Sequence, residues 1–249
     1  MPETWSTLLV VVAGAAAAGL VQGLSGFAFS MVAMGFWAWA LAPEIAAPLA
    51  VFGSLLGQLA SLASIRQGFE FRRIAPFVIG GALGVPIGVL ILHSVDPRGF
   101  RFAVGAAMTL YGVYGLVTSA PARIEFGGRW LDSCVGMVGG LLGGLGGMSG
   151  AAPAIWTQLR GWPRDLRRAT MQAYNTAMHV LTLTAYARTG TLDVTTFKLF
   201  AVVAPAMLIP SYVGMRLYGT FSERTFARVI FALLLVSGAA LLVSVGRGL

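Results

Sequence analysis

Six polar side chains stand out in this sequence because the residues around them are almost entirely apolar. They are Gln22, Ser54, Gln58, Gln172, Asn175 and His179. Polar groups in apolar helices are costly, and they usually face a cavity or the interior of a helix bundle. Ser54 and Gln58 are four residues apart, as are Asn175 and His179, so each pair lies on one helical face. These pairs can contact a ligand, or they can form hydrogen bonds between helices.

Two glycine clusters interrupt long apolar runs. One is Gly23-Leu24-Ser25-Gly26, in a run over residues 5–41, and the other covers residues 143–150, in a run over 133–159. Glycine costs about 1 kcal/mol inside a helix, so these clusters predict breaks. A helix that begins after a break has free backbone N–H groups that suit an anion. The candidate anion-binding residues at the two breaks are Ser25, Gly26, Phe27, Gly147, Met148 and Ser149.

Close helix packing is the alternative explanation for many of the glycines. Gly80, Gly84 and Gly88 fit the small-xxx-small pattern of membrane helix contacts, as do Gly19 and Gly23. We assign Gly80 and Gly84 to packing, since packing explains single glycines better than paired clusters. The paired clusters are typical of the interrupted helices that form binding sites in transporters.

An enzymatic interpretation also has to be weighed. Gly147-Met148-Ser149-Gly150 followed by His179 resembles, in outline, the serine and histidine of rhomboid intramembrane proteases. The string is a weak signal in a chain with 33 glycines. Two histidines and one cysteine are too few for a common zinc site. We therefore predict no catalytic residue, metal site or cofactor.

The composition predicts an all-α integral membrane protein. Hydrophobic residues make up 57% of the 249 residues and charged residues 10%, and the mean hydropathy is +0.81. Eight apolar runs fill the chain, and breaks in two of them give eight to ten helical segments. The net charge of +8 comes from basic residues dispersed through loops. Nucleic acid is not an expected partner, because a binder needs a continuous basic face.

An internal repeat divides the chain into two halves. Residues 19–26 match residues 140–147 at a spacing of 121, with five of eight identical, and Gly88 matches Gly214 at a spacing of 126. The spacing of 121 also places Ser54 on Asn175 and Gln58 on His179. We predict a first membrane repeat over 1–119, a loop over 120–132 and a second repeat over 133–249, within a single membrane domain.

The distribution of basic residues predicts how the halves are oriented. If the two broken runs are hairpins that return to their own side, twelve of the seventeen basic residues lie on one face of the membrane. That asymmetry is typical of cytoplasmic loops, and it places both termini outside. Each half then crosses the membrane an odd number of times, so the halves are inverted relative to each other. The 133–159 run can alternatively be one long tilted helix.

The chain resembles the sulfite exporter TauE/SafE family of membrane anion permeases. The resemblance rests on residues 19–29, the Pro43-Glu44 turn, residues 80–88 followed by Asp96, residues 139–153, Trp162-Pro163 and Ala173-Tyr174-Asn175. It implies a bacterial inner-membrane transporter for sulfite, sulfonates or related small anions. We expect alternating access, with H⁺ or Na⁺ as a possible coupling ion. A passive anion channel on the same scaffold is the alternative function.

Overall fold

The described part of the protein is a bundle of ten helices. A computed structural model describes residues 5–26, 28–62, 70–118, 124, 126–217 and 223–247, with only the main chain described at 61, 62 and 223–226. The helices are α1 (Trp5–Ser25), α2 (Phe29–Ala40), α3 (Pro43–Leu62), α4 (Phe71–Ser94), α5 (Pro97–Val117), α6 (Gly128–Gly146), α7 (Ala151–Leu159), α8 (Arg164–Arg188), α9 (Val194–Leu217) and α10 (Glu223–Arg247). The predicted all-helical membrane fold is confirmed, and the number of helices falls at the upper end of the predicted eight to ten.

Six of the helices are long and apolar enough to cross a membrane. They are α1, α3, α4, α5, α9 and α10. The helix α8 is also 25 residues long, but charged and polar residues are frequent along it. It contacts α3, α4, α6 and α7, and Tyr174, Met178 and Tyr186 on it are completely buried. Because one face of α8 is buried against these four helices, that face can carry polar residues that a lipid-facing surface could not.

The first broken run is a hairpin of antiparallel helices. The helix α2 has 12 residues, about 18 Å, which is too short to cross a hydrocarbon core of about 30 Å. It returns along α1, since the Phe29 amide is 3.1 Å from the Gln22 side chain and the Trp37 indole N–H donates to the Val11 carbonyl at 3.3 Å. The run over 5–41 therefore turns back within the bundle.

The second broken run is also a hairpin, so it is not one long helix. The Trp156 indole N–H in α7 donates to the Asp132 carboxylate in α6 at 2.6 Å. The amide of Ile124 donates to the Leu159 carbonyl, which brings the end of α7 back to the start of α6. The helix α6 begins at Gly128, so residues 128–132 of the predicted 120–132 loop belong to α6. Asp132 lies within α6, where its carboxylate accepts the hydrogen bond from Trp156.

Contacts between the halves follow the spacings of the sequence repeat. The helix α1 packs against α9 and α6 packs against α4, both through glycines. A Cβ on Gly23 would overlap the Ser211 carbonyl oxygen, and one on Gly144 would overlap that of Val85. Gly23 and Gly144 are 121 residues apart, and Val85 and Ser211, whose carbonyl oxygens they approach, are 126 residues apart. These are the two spacings of the sequence repeat. Each half therefore contributes a helix to the packing of the other.

The packing role predicted for the α4 glycines agrees with these contacts. Cβ atoms on Gly80, Gly84 and Gly88 would overlap the carbonyl oxygens of Ser133, Met137 and Leu141, respectively. A larger side chain at any of the three positions would push α4 and α6 apart.

Candidate functional site

The first break is closed by the side chain of Gln22. The helix α1 ends at Ser25, and Gly26 has a φ of +85°, a backbone conformation that glycine adopts without strain. Gln22 Nε2 donates to the Gly26 carbonyl at 3.1 Å, and its Oε1 accepts from the Phe29 amide at 3.1 Å. One N–H at the start of α2 is thus already bonded. The Ser25 hydroxyl donates to the Val21 carbonyl at 2.8 Å.

The second break is packed inside the protein. Gly147 has a φ of +75°, and its amide and that of Met148 donate to Gly143 and Leu142, respectively, which caps the end of α6. Ser149 is completely buried, and its hydroxyl donates to Asn175 Oδ1 at 2.9 Å. A Cβ on Gly150 would lie 3.0 Å from the Asn175 side-chain nitrogen. The start of α7 therefore adjoins one of the predicted polar pairs.

The two polar pairs are both buried, one on α3 and the other on α8, and these two helices contact each other. Ser54, Gln58, Asn175 and His179 are each no more than 2% exposed. Ser54 Oγ, both amide atoms of Gln58 and His179 Nδ1 have no hydrogen-bond partner within the described part of the protein. Buried polar atoms are nearly always paired. Several unpaired ones on two helices that contact each other are therefore typical of a ligand-binding site.

The polar residues of α8 form a stripe along one face of the helix. Gln172, Asn175, His179 and Thr182 follow at intervals of three or four residues, and all are buried. Thr182 Oγ1 also lacks a partner among the described residues. Gln172 Nε2 donates to the main-chain carbonyl of Gln58 at 2.6 Å, which connects the start of the stripe to α3.

A cavity of about 540 Å³ opens next to the first break. Its wall includes residues 23–26 at the end of α1, Tyr111 of α5, three residues of α7, Gln172 and three arginines of α8, and apolar side chains of α9 and α10. The arginines are Arg164, Arg167 and Arg168. Gln172 therefore both lines the cavity and bonds to Gln58, whose side-chain amide has no partner among the described residues.

Comparison with known proteins gives one family. The sequence model of the family described as "Sulfite exporter TauE/SafE" matches residues 11–241. The chain belongs to the sulfite exporter TauE/SafE family. It is also 29% identical over 229 residues to the "Probable sulfite/organosulfonate exporter TauE" of Cupriavidus necator, an alignment that covers 89% of this chain and 88% of that protein. No solved structure matches the chain significantly.

Membership of the TauE/SafE family makes the chain a membrane transporter and not an enzyme. The local geometry agrees, since the Ser149 hydroxyl is bonded to Asn175, whereas a serine protease would bond it to a histidine. The resemblance to rhomboid proteases therefore ends at the sequence string.

Most of the predicted site residues of this TauE/SafE protein lie at the two helix breaks and on α3 and α8. Gln22, Ser25 and Gly26 lie at the first break, whereas Gly147, Met148 and Ser149 lie at the second, next to Asn175. Ser54 and Gln58 lie on α3 and His179 lies on α8, two helices that contact each other. Phe27 lies outside the described residues. The hydroxyl hydrogens of Ser25 and Ser149 are already donated within the protein, so an anion would have to compete for them.

The arginines of the cavity were not among the predicted site residues. The sequence places them in the loop-like segment that follows the 133–159 run and begins near Trp162-Pro163, where basic residues are explained by topology alone. Spacing is the signal that could have found two of them: Arg164 and Arg168 lie eight and four residues before Gln172 and share the polar face of α8, whereas Arg167 does not fit this spacing.

Proposed function

We propose that this protein exports sulfite, an organosulfonate or a related small anion by alternating access. The observation that carries the proposal is the group of buried, unpaired polar atoms on α3 and α8. An anion that leaves water needs donors to replace its hydration. The Gln58 amide and the hydroxyls of Ser54 and Thr182 can donate without bringing a full charge into the membrane. The substrate class is supported by the name of the Cupriavidus necator relative.

The substrate is proposed to bind between α3 and α8, beside the two breaks. The contact between Gly150 and Asn175 supports this location, because it brings the start of α7 next to the polar stripe. The positive end of the α7 dipole would then help to hold the anion. Partial charges of this kind favour binding while still letting the anion leave.

Two observations support alternating access between inverted halves. The reciprocal α1–α9 and α6–α4 contacts relate the halves, and the hairpins leave three further helices in each half, α3–α5 and α8–α10. The first break borders an open cavity whereas the second is packed, as expected when a transporter is open to one side only. With the basic residues inside, both termini lie outside the bacterial inner membrane.

Transport by proteoliposomes tests the function. Purified protein is reconstituted, and radiolabelled sulfite or ethanesulfonate is followed under an imposed H⁺ or Na⁺ gradient. Accumulation above the external concentration is expected from a coupled transporter. Equilibration without accumulation would favour the passive channel, and no movement of either anion would contradict both.

The α3–α8 site is tested with the two histidines of the chain. His179→Ala is expected to lower transport at least about tenfold, because it removes a polar group from the proposed site. His179 is 2% exposed, so the variant also opens a cavity that lowers its Tm, and transport is therefore compared per folded protein. His93→Ala is the control, because His93 is exposed and bonds to Thr191 away from α3. Equal transport in the two variants would move the site elsewhere.

The topology is tested by cysteine labelling in a Cys134→Ala background. Cysteines at Arg72 and at Gly248, which lies outside the described residues, are predicted on opposite sides of the membrane. Labelling of both from one side by an impermeant reagent would contradict the inverted hairpin arrangement.

A further inference from the structure

The arginine-lined cavity differs chemically from the α3–α8 contact. It combines three guanidinium groups with the apolar side chains of Leu24, Met171, Met215 and Phe231. None of the described residues that line it is acidic. We propose that this cavity is a separate capture site, on one face of the protein, for small oxyanions that carry an apolar substituent. This proposal rests on the proposed function, since it names where and how the substrate first binds.

Arg167 provides the strongest evidence for an anion in the cavity. Its Nε atom is buried and has no hydrogen-bond partner among the described residues. A buried guanidinium N–H without an acceptor is costly, and because Arg167 lines the cavity, a change of its side-chain rotamer would bring this N–H to an oxyanion bound there. Guanidinium groups also bind sulfonate-like oxygens with two parallel hydrogen bonds. Arg168 is the next residue of α8, is exposed and lines the same cavity, so a second group can contribute.

The apolar part of the cavity wall suggests selectivity. Met215 in α9 is 40% exposed, and Phe231 in α10 contributes an aromatic ring to the same wall. An organosulfonate has an apolar substituent that such side chains can cover, whereas sulfite has none. The capture site should therefore prefer ethanesulfonate to sulfite, because burial of each CH₂ group contributes about 0.8 kcal/mol.

The sequence repeat indicates that the other face lacks an equivalent site. At the spacing of 121, Arg164, Arg167 and Arg168 correspond to Pro43, Ala46 and Ala47 in α3. Ala46 and Ala47 are completely buried. A cavity formed at the counterpart positions would have no cation to hold the anion. Capture is therefore expected on the side of the membrane that the arginine-lined cavity faces. An anion released on the other side would meet only a weak binding site there.

Binding to the purified full-length protein tests the capture site directly. Calorimetric Kd values for ethanesulfonate and sulfite are compared among Arg167→Gln, Arg168→Gln and Arg129→Gln. Each cavity variant should raise the Kd for ethanesulfonate about tenfold, as expected for one lost charge-assisted hydrogen bond. Arg129→Gln makes the same charge change at an exposed position that does not line the cavity, and its Kd should match that of the parent protein.

A second variant tests the apolar wall. Met215→Ser should lower the preference for ethanesulfonate over sulfite about threefold or more, with little change in the Kd for sulfite. Since Met215 is partly exposed, this variant should fold. An unchanged preference would overturn the assignment of the substituent to this wall.

Transport separates failure of the capture site from failure of the proposed function. If the parent protein transports ethanesulfonate but both arginine variants bind and transport like Arg129→Gln, the capture site is wrong and the transport function stands. If the parent protein neither binds nor transports either anion, the proposed function itself fails. Should Arg167→Gln not fold, the exposed Arg168 decides. Arg168→Gln should raise the KM of transport when ethanesulfonate is supplied from the side that the arginine-lined cavity faces. An unchanged KM from that side would overturn the proposal.

Discussion

The two helix breaks occupy matching positions in the repeat, but their surroundings differ. Gly26 and Gly147 are 121 residues apart, and both have positive φ angles. No described atom would lie within 4 Å of a Cβ on Gly26, whereas one on Gly147 would come within 3.2 Å of the Ser30 and Val51 side chains. The first break borders the arginine-lined cavity, and the second is covered by α2 and α3.

This difference shows that similar sequences need not be in the same environment within one conformation. If the halves are related by a pseudo-twofold axis, an exchange of their arrangements would cover Gly26 and uncover Gly147. Alternating access requires two such conformations, and a ligand shifts their populations only by its difference in affinity for them. The contrast between the breaks can therefore be tested by chemistry, by stability and through the hydrogen bonds that hold each hairpin together.

Cysteine reactivity should give the largest difference. In a Cys134→Ala background, Ser25→Cys should react with a small polar thiol reagent much faster than Ser149→Cys, since Ser25 lines the cavity and Ser149 is completely buried. If the alternative state is a few per cent populated, the rates should differ by about 10- to 100-fold. Measurement is by mass spectrometry over time. Equal rates would mean that the second break is as open as the first.

Leucine at each break glycine should separate strain from packing. Both changes place a side chain at a positive φ, which costs about 1–2 kcal/mol. Gly147→Leu must also displace Ser30 and Val51, so its total loss should be about 2–5 kcal/mol. Thermal unfolding in detergent is the measurement, and Gly26→Leu should keep the higher Tm. A reversed order would contradict the covered position of the second break.

The tryptophan hydrogen bonds of the two hairpins should differ by a smaller amount. In the second hairpin, Trp156 donates to the Asp132 carboxylate, which is 4% exposed, whereas in the first hairpin Trp37 donates to the main-chain carbonyl of Val11. Trp156→Phe leaves a buried charge without that donor and should cost about 1.5–3 kcal/mol, against about 0.5–1.5 for Trp37→Phe. Restoring part of the loss with Asp132→Asn in the Trp156→Phe background would support the charge as its cause. Equal losses in the two single variants would contradict it.

Much of the candidate site could be predicted because polar side chains in an apolar run are visible without coordinates. Gln22, Asn175 and His179 were found in this way. Their roles were not visible. Gln22 closes the first break by bonding to Gly26 and Phe29, and Asn175 accepts from Ser149. The hydrogen-bond partners of a side chain depend on which helices pack together. The spacing of residues along one helix carries no information about that packing.

The amino-acid sequence was enough to establish a helical membrane protein of a known transporter family, with breaks at two glycine clusters. Hydropathy, glycine spacing and the family motifs are local properties, and they can be read along the chain. The folded arrangement was needed to show that both broken runs turn back as hairpins, that the halves exchange α1–α9 and α6–α4 contacts, and that three arginines of α8 line a cavity at the first break. An arginine at the start of a helix has the same sequence signature whether it faces water, lipid headgroups or a cavity, because its surroundings come from other parts of the chain.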